Sequence, residues 1–132
     1  MKNLIISVAM VVATIGFYSF IQTEEWNVPA SEANAKNPTD ASDDENIEVG
    51  KEIYVKHCAS CHGKEGYGDG TKAADLKGDL GDFSSEEFQA QTDGTIFYKM
   101  KTGLGDMPSF TKKIPDAEDR WLVIDYVRTL AE

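Results

Sequence analysis

The sequence predicts an all-α fold of short helices, and three observations support this prediction. Apolar residues between Val123 and Leu130 recur at three- and four-residue spacing, which is the period of one face of a helix. Ser85 and Asp116 each precede acidic residues and an apolar position, as is typical of a capped helix start. No segment alternates apolar and polar residues in the manner of a half-buried strand. An all-helical domain is therefore expected.

The other helices are predicted from local signals. A short helix is expected from about Ile47 into Cys58. Asp93-Gly94 is interpreted as a break before a helix over Ile96–Lys101, and Gly103 is predicted to end that helix. Short helices joined by glycine-rich loops bury few apolar side chains, so a further group is expected to complete the core.

Length and charge exclude several classes of protein. A chain of 132 residues allows one ordinary domain and a tail. It has 13 Lys and Arg residues against 23 Asp and Glu residues, a net charge of −10. Since basic side chains drive binding to phosphates, nucleic acid is not an expected partner.

An apolar stretch lies near the amino terminus. Residues 4–21 carry no charge and lie between Lys2 and Glu24. As a helix this stretch would reach about 27 Å, close to the hydrocarbon thickness of a bilayer. The positive charge before it predicts a cytoplasmic amino end and export of the rest of the chain. Residues 1–22 are therefore predicted to be a signal anchor, and a cleaved signal peptide is the alternative.

Two further regions follow the apolar stretch. Residues 23–46 are acidic, rich in Asn, Pro and Ser, and without apolar periodicity. Such a composition predicts a flexible linker, because it cannot bury enough surface to offset the entropy of ordering. Its root-mean-square span would be about 30 Å, and it would serve as a swinging tether or as a spacer. Residues 47–132 are predicted to be the folded domain.

One motif carries most of the chemical information. Cys58-Ala59-Ser60-Cys61-His62 is the C-x-x-C-H pattern of covalent haem c attachment. Two thiols one helical turn apart can reach the two vinyl groups, and the next residue places an imidazole under the iron. A thioredoxin-like dithiol would need a βαβ pattern, and a zinc site would need a further Cys/His pair, whereas only His57 remains. Cys58 and Cys61 are therefore predicted to bind one haem c, with His62 as an iron ligand.

The folded region resembles the class I monohaem c-type cytochromes, of the membrane-anchored bacterial type. Gly50 and Tyr54 stand eight and four residues before the first cysteine, Tyr126 lies in the final helix, and Met107-Pro108 lies in a late loop. These positions match the family, and the resemblance covers nearly all of residues 48–132. It implies a cytochrome c fold, with short helices wrapped around one covalent haem, and an electron carrier rather than an enzyme.

The sequence departs from the family at one point. Many members have a proline about a dozen residues after the histidine, and its carbonyl group orients the imidazole ring. No proline occurs here between His62 and Pro108. The sequence therefore does not identify the carbonyl group that holds the ring.

Two methionines compete for the second axial position. Met107 follows a glycine-rich loop and precedes Pro108, which restricts it to extended geometry and stiffens the backbone around its sulfur. Met100 lies on a predicted helix, four residues after Ile96, and is interpreted as a core side chain. Met107 is accordingly predicted to be the sixth ligand, and the metal ligands are predicted to be His62 and Met107.

Other residues receive weaker assignments. The glycine-rich run 66–70 is interpreted as a loop close to the haem edge rather than a phosphate-binding loop. Trp121 is interpreted either as a haem-packing aromatic or as ordinary core. Leu76, Ile96 and Phe110 are predicted to line the apolar pocket. Four lysines near the methionine loop would form a docking ring or a set of solvated charges: Lys99, Lys101, Lys112 and Lys113.

These features together predict a one-electron carrier between respiratory complexes, on the outer face of the cytoplasmic membrane. Its partners would be a quinol-oxidising complex or dehydrogenase and a terminal oxidase or reductase, with no small-molecule substrate. The alternative is a fixed cytochrome c subunit of a larger respiratory oxidase, reductase or dehydrogenase complex. A gas sensor or peroxidase would require Met107 to leave the iron, and the sequence offers no spare histidine or arginine nearby.

Overall fold

A computed structural model describes residues 25–132 of the chain. The predicted signal anchor, residues 1–22, lies outside the described residues. Within residues 25–132 no helix is long and apolar enough to cross a membrane. The described chain forms six α-helices and one 3-10 turn: α1 (Ala30–Ala33), α2 (Asp44–His57), α3 (Ala59–His62), the turn Ala73–Asp75, α4 (Glu86–Gln89), α5 (Asp93–Thr102) and α6 (Ala117–Arg128).

The predicted all-α class is confirmed for this part of the chain. Its β-type pairing is limited to one isolated bridge between Leu104 and Met107. The predicted caps also form, since the side chain of Ser85 accepts from the amide of Phe88 and that of Asp116 accepts from the amide of Glu118. These caps satisfy amide groups that the first helical turn leaves without partners.

Helices α2 and α6 form the frame of the domain and make its most extensive helix–helix contact. They approach closely at Gly50, where a Cβ atom would overlap the carbonyl oxygen of Leu122 and lie 3.2 Å from the Cβ of Tyr126. Tyr126, the aromatic residue of the final helix, thus packs against Gly50. Tyr54 on α2 and Ile124 on α6 are fully buried in the core between the helices and loops.

The predicted break at Asp93-Gly94 is wrong. Helix α5 begins at Asp93, and its cap is Thr92, whose side chain accepts from the amide of Thr95. Gly94 lies inside the helix because the backbone of Glu32 and Ala33 passes against it and leaves no room for a side chain. The glycine therefore marks a close approach of two segments rather than an interruption of the helix.

The prediction of a flexible linker over residues 23–46 does not describe residues 25–46. Residues 25–43, hereafter the strap, lie against the domain, and α1 packs on α5. Asn37 and Thr39 donate hydrogen bonds to the Asp125 carboxylate on α6, both at 2.6 Å. These partners lie more than 80 residues away in the sequence, so the composition of the segment could not indicate them. Helix α2 then begins at Asp44, three residues before the predicted domain start.

Candidate functional site

The C-x-x-C-H motif forms a single helical turn at the end of α2. Cys58 follows α2 directly and its amide donates to the carbonyl of Tyr54 at 2.8 Å. The amide of His62 donates to the carbonyl of Cys58 at 3.0 Å, and Cys61 lies in the same turn. The structure therefore brings the two predicted attachment residues and the predicted iron ligand together on one short helix.

The following glycine-rich loop holds this turn in place. The amides of Gly68, Gly70 and Lys72 donate to the carbonyls of His62, Cys61 and Ser60, at 2.8, 3.1 and 2.8 Å. These carbonyls belong to the end of α3, where the helix itself supplies no partner. The loop amides of Gly68 and Gly70 are thus committed to the motif, which supports the interpretation of the run as a structural loop.

The imidazole of His62 is held by one backbone carbonyl. Its Nδ1 lies 3.0 Å from the carbonyl oxygen of Leu80, and since a carbonyl only accepts, Nδ1 carries the proton. The Phe83 ring stacks on the imidazole with centroids 4.4 Å apart. Burial lowers the pKa of His62, while the bond to Leu80 acts in the opposite direction. The ring is thus held neutral, and Nε2 keeps a free electron pair.

Leu80 fills the role that the sequence left without a residue. It lies in the loop between the 3-10 turn and α4, 18 residues after the histidine. A backbone carbonyl has no signature in residue type, so sequence reasoning had no means of finding it.

Tyr54 fixes the exit of the motif. Its side chain is fully buried, and its hydroxyl donates to the carbonyl of Gly63 at 2.7 Å. Burial is also the main reason that the pKa of this phenol is raised. The ring contacts Tyr126 and Phe83, with centroids 5.2 and 6.4 Å away. The aromatic residue of the family pattern therefore joins α2, α6 and the end of the C-x-x-C-H turn.

Met107 lies in a tight loop after α5. Gly103 ends the helix with a φ of 72°, a value that favours glycine. Leu104 and Met107 then exchange two backbone hydrogen bonds, of 2.9 and 3.0 Å. The side chain of Met107 is half-buried against the core, whereas Met100 is a core residue with 5% exposure, as predicted.

Two residues that the sequence analysis missed hold the loop between α5 and α6, which carries Met107. The buried guanidinium of Arg120 on α6 donates to the carbonyls of Ile114 and Pro115 and lies over the Phe97 ring. Asp106 accepts a bond of 2.9 Å from the amide of Lys77, in the loop that contains Leu80. A buried arginine with carbonyl partners looks in sequence like any polar residue of an amphipathic helix.

The remaining predictions have mixed outcomes. Ile96, Phe110 and Trp121 are buried in the core, and Leu76 is half-buried outside it, so the lining of the haem pocket by these residues stays a prediction. Of the four lysines near the methionine loop, two contact the strap. Lys99 lies 5.6 Å from the centre of the Trp26 ring, and Lys101 pairs with Glu32 at 3.1 Å.

The donor set fits a covalently bound haem. Cys58 lies against the core, where burial raises the pKa of its thiol to about 12. Such a position disfavours a charged thiolate but accommodates an uncharged thioether. His62 presents a neutral nitrogen donor, and Met107 presents a soft sulfur donor, a pair known to bind haem iron.

The chain was compared with known protein families, curated proteins and solved structures. Residues 45–127 match the family described as cytochrome c oxidase, cbb3-type, subunit III. The chain belongs to this family. A chain of the Kuenenia stuttgartiensis reducing HAO-like protein complex has a similar structure, with 29% sequence identity and a TM-score of 0.62. The match covers 85% of the present chain and 53% of that chain, so the present chain spans about half of its length. No curated protein matches the sequence.

The family membership confirms the predicted family and cofactor. The protein is a monohaem c-type cytochrome that carries one covalently bound haem c with its iron. Electron transfer is the chemistry of such a domain, which carries electrons and is not an enzyme by itself.

Proposed function

We propose that Cys58 and Cys61 attach the haem and that His62 and Met107 are its axial ligands. The observation that carries this proposal is the bond from His62 Nδ1 to the carbonyl of Leu80. It leaves Nε2 as the free donor atom on the same helical turn as both cysteines. Met107 is the half-buried methionine of a closed loop, whereas Met100 is committed to the core.

The haem, when bound, supplies an iron that exchanges one electron between its ferrous and ferric states. The residues of this chain keep the surroundings of the iron the same in both states. The Leu80 carbonyl and the Phe83 ring hold His62, so that its orientation does not change with the charge on the metal. Arg120 and the Leu104–Met107 pairing restrict the loop that carries Met107. Little reorganisation then accompanies electron transfer.

The protein acts, in this proposal, as a one-electron carrier between respiratory complexes on the outer face of the cytoplasmic membrane. The apolar stretch at residues 4–21 supports the membrane anchor. Two filled axial positions would leave no site for a substrate. The partners would be a quinol-oxidising complex or dehydrogenase and a terminal oxidase or reductase.

A fixed subunit of a larger redox complex is the second candidate. Two observations favour it: the similar structure comes from a protein complex, and the family is described as an oxidase subunit. Mild detergent extraction followed by native sizing separates the two candidates. A haem band at the mass of one chain supports the independent carrier, and a haem band at the mass of a stable assembly supports the subunit.

The axial ligands are tested by adding carbon monoxide to the reduced full-length holoprotein. An unchanged absorption spectrum is expected, because both axial positions are held by the protein. The Met107→Ala variant should bind carbon monoxide at once, while Met100→Leu, the matched control, should behave as the wild type. Rapid binding by the wild type would contradict the assignment of Met107 and would favour gas sensing or catalysis.

A further inference from the structure

Asp125 is a buried carboxylate that the haem site does not use. Its side chain lies on α6 with 2% exposure. Asn37 and Thr39 of the strap each donate to it at 2.6 Å. The amide of Thr39 also donates to the side-chain oxygen of Asn37, so the two strap residues form one connected cap over the carboxylate. A buried carboxylate needs such donors, because an unpaired charge would be costly to keep away from water.

A second contact holds the strap at the start of α5. The hydroxyl of Thr92, the cap of α5, donates to the carbonyl of Ala33 at 2.6 Å. The backbone of α1 also lies against Gly94, where a Cβ atom would overlap the carbonyl oxygen of Glu32 and lie 2.8 Å from that of Ala33. Only glycine allows this approach. The surface under the strap therefore fits a closely approaching backbone at Gly94, in addition to its polar contacts.

The charged contacts place the strap on one side of the domain. The ion pair of Lys101 with Glu32 and the contact of Lys99 with Trp26 both lie along α5. Among the hydrogen bonds of residues 25–43 in the described chain, none reaches the C-x-x-C-H turn. The strap thus covers the face formed by α5 and α6 and makes no hydrogen bond to the haem-attachment segment.

We propose that the strap is a rigid mount, locked to the domain by Asp125 and Gly94, that holds the haem domain close to its point of attachment. The part of this inference that concerns the membrane anchor rests on the proposed function. Three residues, 22–24, separate the apolar stretch from the strap, and they extend at most about 10 Å. A free linker would instead allow a span of about 30 Å.

The mount determines what kind of partner the cytochrome can serve. A domain held within a short distance of the membrane delivers electrons to a redox centre fixed beside it. The carrier of the proposed function is then limited to respiratory complexes that come together beside its anchor. The inference therefore favours a redox partner in the same membrane assembly, with its docking site facing the C-x-x-C-H side of the domain.

Hydrogen exchange of the full-length holoprotein tests the lock. We expect the amides of Asn34 and Ala35, which are bonded within α1, to exchange at least about tenfold more slowly than in an unstructured chain. Gly94→Ala should remove this protection, while Ala remains favourable inside α5. Gly78→Ala is the matched control, since nothing lies within 4 Å of a Cβ atom there. Free exchange of the strap in the wild type would overturn the inference.

A second variant removes the lock from the strap itself, where the fold of the domain is not at risk. Thr39→Val keeps the shape of the side chain and deletes the bond to Asp125. We expect faster exchange across the strap and unchanged exchange in α2 and α6. Unchanged exchange in the strap of both Thr39→Val and Gly94→Ala would show that these contacts do not hold it.

Energy transfer from a headgroup-labelled lipid to the haem tests how far the haem domain lies from the membrane. In phosphatidylglycerol vesicles the wild-type holoprotein should show strong quenching with one narrow distance distribution, and Gly94→Ala should show a broader and longer one. Identical, broad distributions would contradict the rigid mount. Failure of the full-length chain to bind the vesicles would instead contradict the membrane anchor of the proposed function, while the exchange result would still decide the lock.

Discussion

The helical frame and the ligand loops of this domain are held by different kinds of interaction. In the frame, α2 and α6 pack through apolar side chains and the close contact at Gly50. In the loops, residues 76–83 and 103–116, position depends on single hydrogen bonds such as those of Leu80 and Arg120. Damage to the frame should therefore cost stability, whereas damage to the loops should change the coordination of the iron.

The two loops also differ from each other. The loop behind His62 acts through a backbone carbonyl and the Phe83 ring, and it contacts a proposed ligand that the C-x-x-C-H turn already positions. Met107 does not lie on a helical turn. Its loop is held by its own pairing, by Arg120, and by bonds from Phe110 and Ser109 to the last carbonyls of α5. We expect the methionine side to be the more easily disturbed.

The largest effect is expected from Gly50→Ala in the frame. The added methyl group would overlap the carbonyl oxygen of Leu122, and neither helix backbone can move without separating the frame. We expect the free energy of unfolding of the holoprotein to fall by about 3 kcal/mol or more, measured by denaturant titration. Gly78→Ala should change it by less than about 0.5 kcal/mol. Equal stability of the two variants would show that the frame contact is not limiting.

Met107→Ala should have the next largest effect, and it should act on coordination more than on folding. Loss of a half-buried methionine is expected to lower the free energy of unfolding by about 2 kcal/mol. The reduced protein should then bind carbon monoxide stoichiometrically. If the variant lost stability without gaining carbon monoxide binding, the separation of frame and loops would be wrong.

Arg120→Met tests the support of the methionine loop from α6. The carbonyls of Ile114 and Pro115 would lose a charged donor, but removal of a buried charge offsets part of that loss. We expect the free energy of unfolding to fall by about 1 to 2 kcal/mol. Carbon monoxide should bind slowly to the reduced variant, as Met107 dissociates more often. Arg120→Lys keeps the charge, and its free energy of unfolding and rate of carbon monoxide binding should lie between those of the wild type and Arg120→Met.

Asp106→Ala should produce a smaller effect on the same loop. The carboxylate of Asp106 accepts one exposed hydrogen bond from the amide of Lys77, which joins the two ligand loops. Its loss should cost about 0.5 to 1 kcal/mol, and carbon monoxide binding should be only slightly faster than in the wild type. Asp106→Asn retains an acceptor and should restore both values, an outcome that loss of charge alone would not produce.

The smallest expected effect is the pH dependence of strap docking on α6, through Asp125. Burial raises the pKa of Asp125, and the like charges of Asp93 and Asp40 add to this, while the bonds from Thr39 and Asn37 oppose it. Because the pKa of Asp125 is raised when the strap is docked, protonation of Asp125 favours docking. This contribution to docking is complete below the ordinary pKa of about 3.9 and is lost as pH rises through the raised pKa. The protection of the strap amides against hydrogen exchange, corrected for the intrinsic effect of pH on exchange, should decrease slightly as pH rises through this range.

Asp125→Asn provides the control for the pH effect. The amide cannot ionise, yet its oxygen can still accept from Asn37. The dependence on pH should therefore disappear in this variant. A wild type and variant with the same pH dependence would assign the effect to other carboxylates.

Local patterns in the sequence were sufficient for the all-α class and the caps at Ser85 and Asp116. They also identified the haem cofactor, because C-x-x-C-H places its three functional residues within one helical turn. Where the interacting residues are neighbours in sequence, spacing alone carries the information.

The tertiary structure decided the features that depend on distant or backbone partners. The carbonyl of Leu80, the guanidinium of Arg120 and the docking of the strap on Asp125 leave no periodic or compositional signal. Gly94 looked like a helix break because its reason, the backbone of Glu32 passing against it, lies 62 residues earlier. A sequence records which groups can bond, and only the folded chain determines which of them meet.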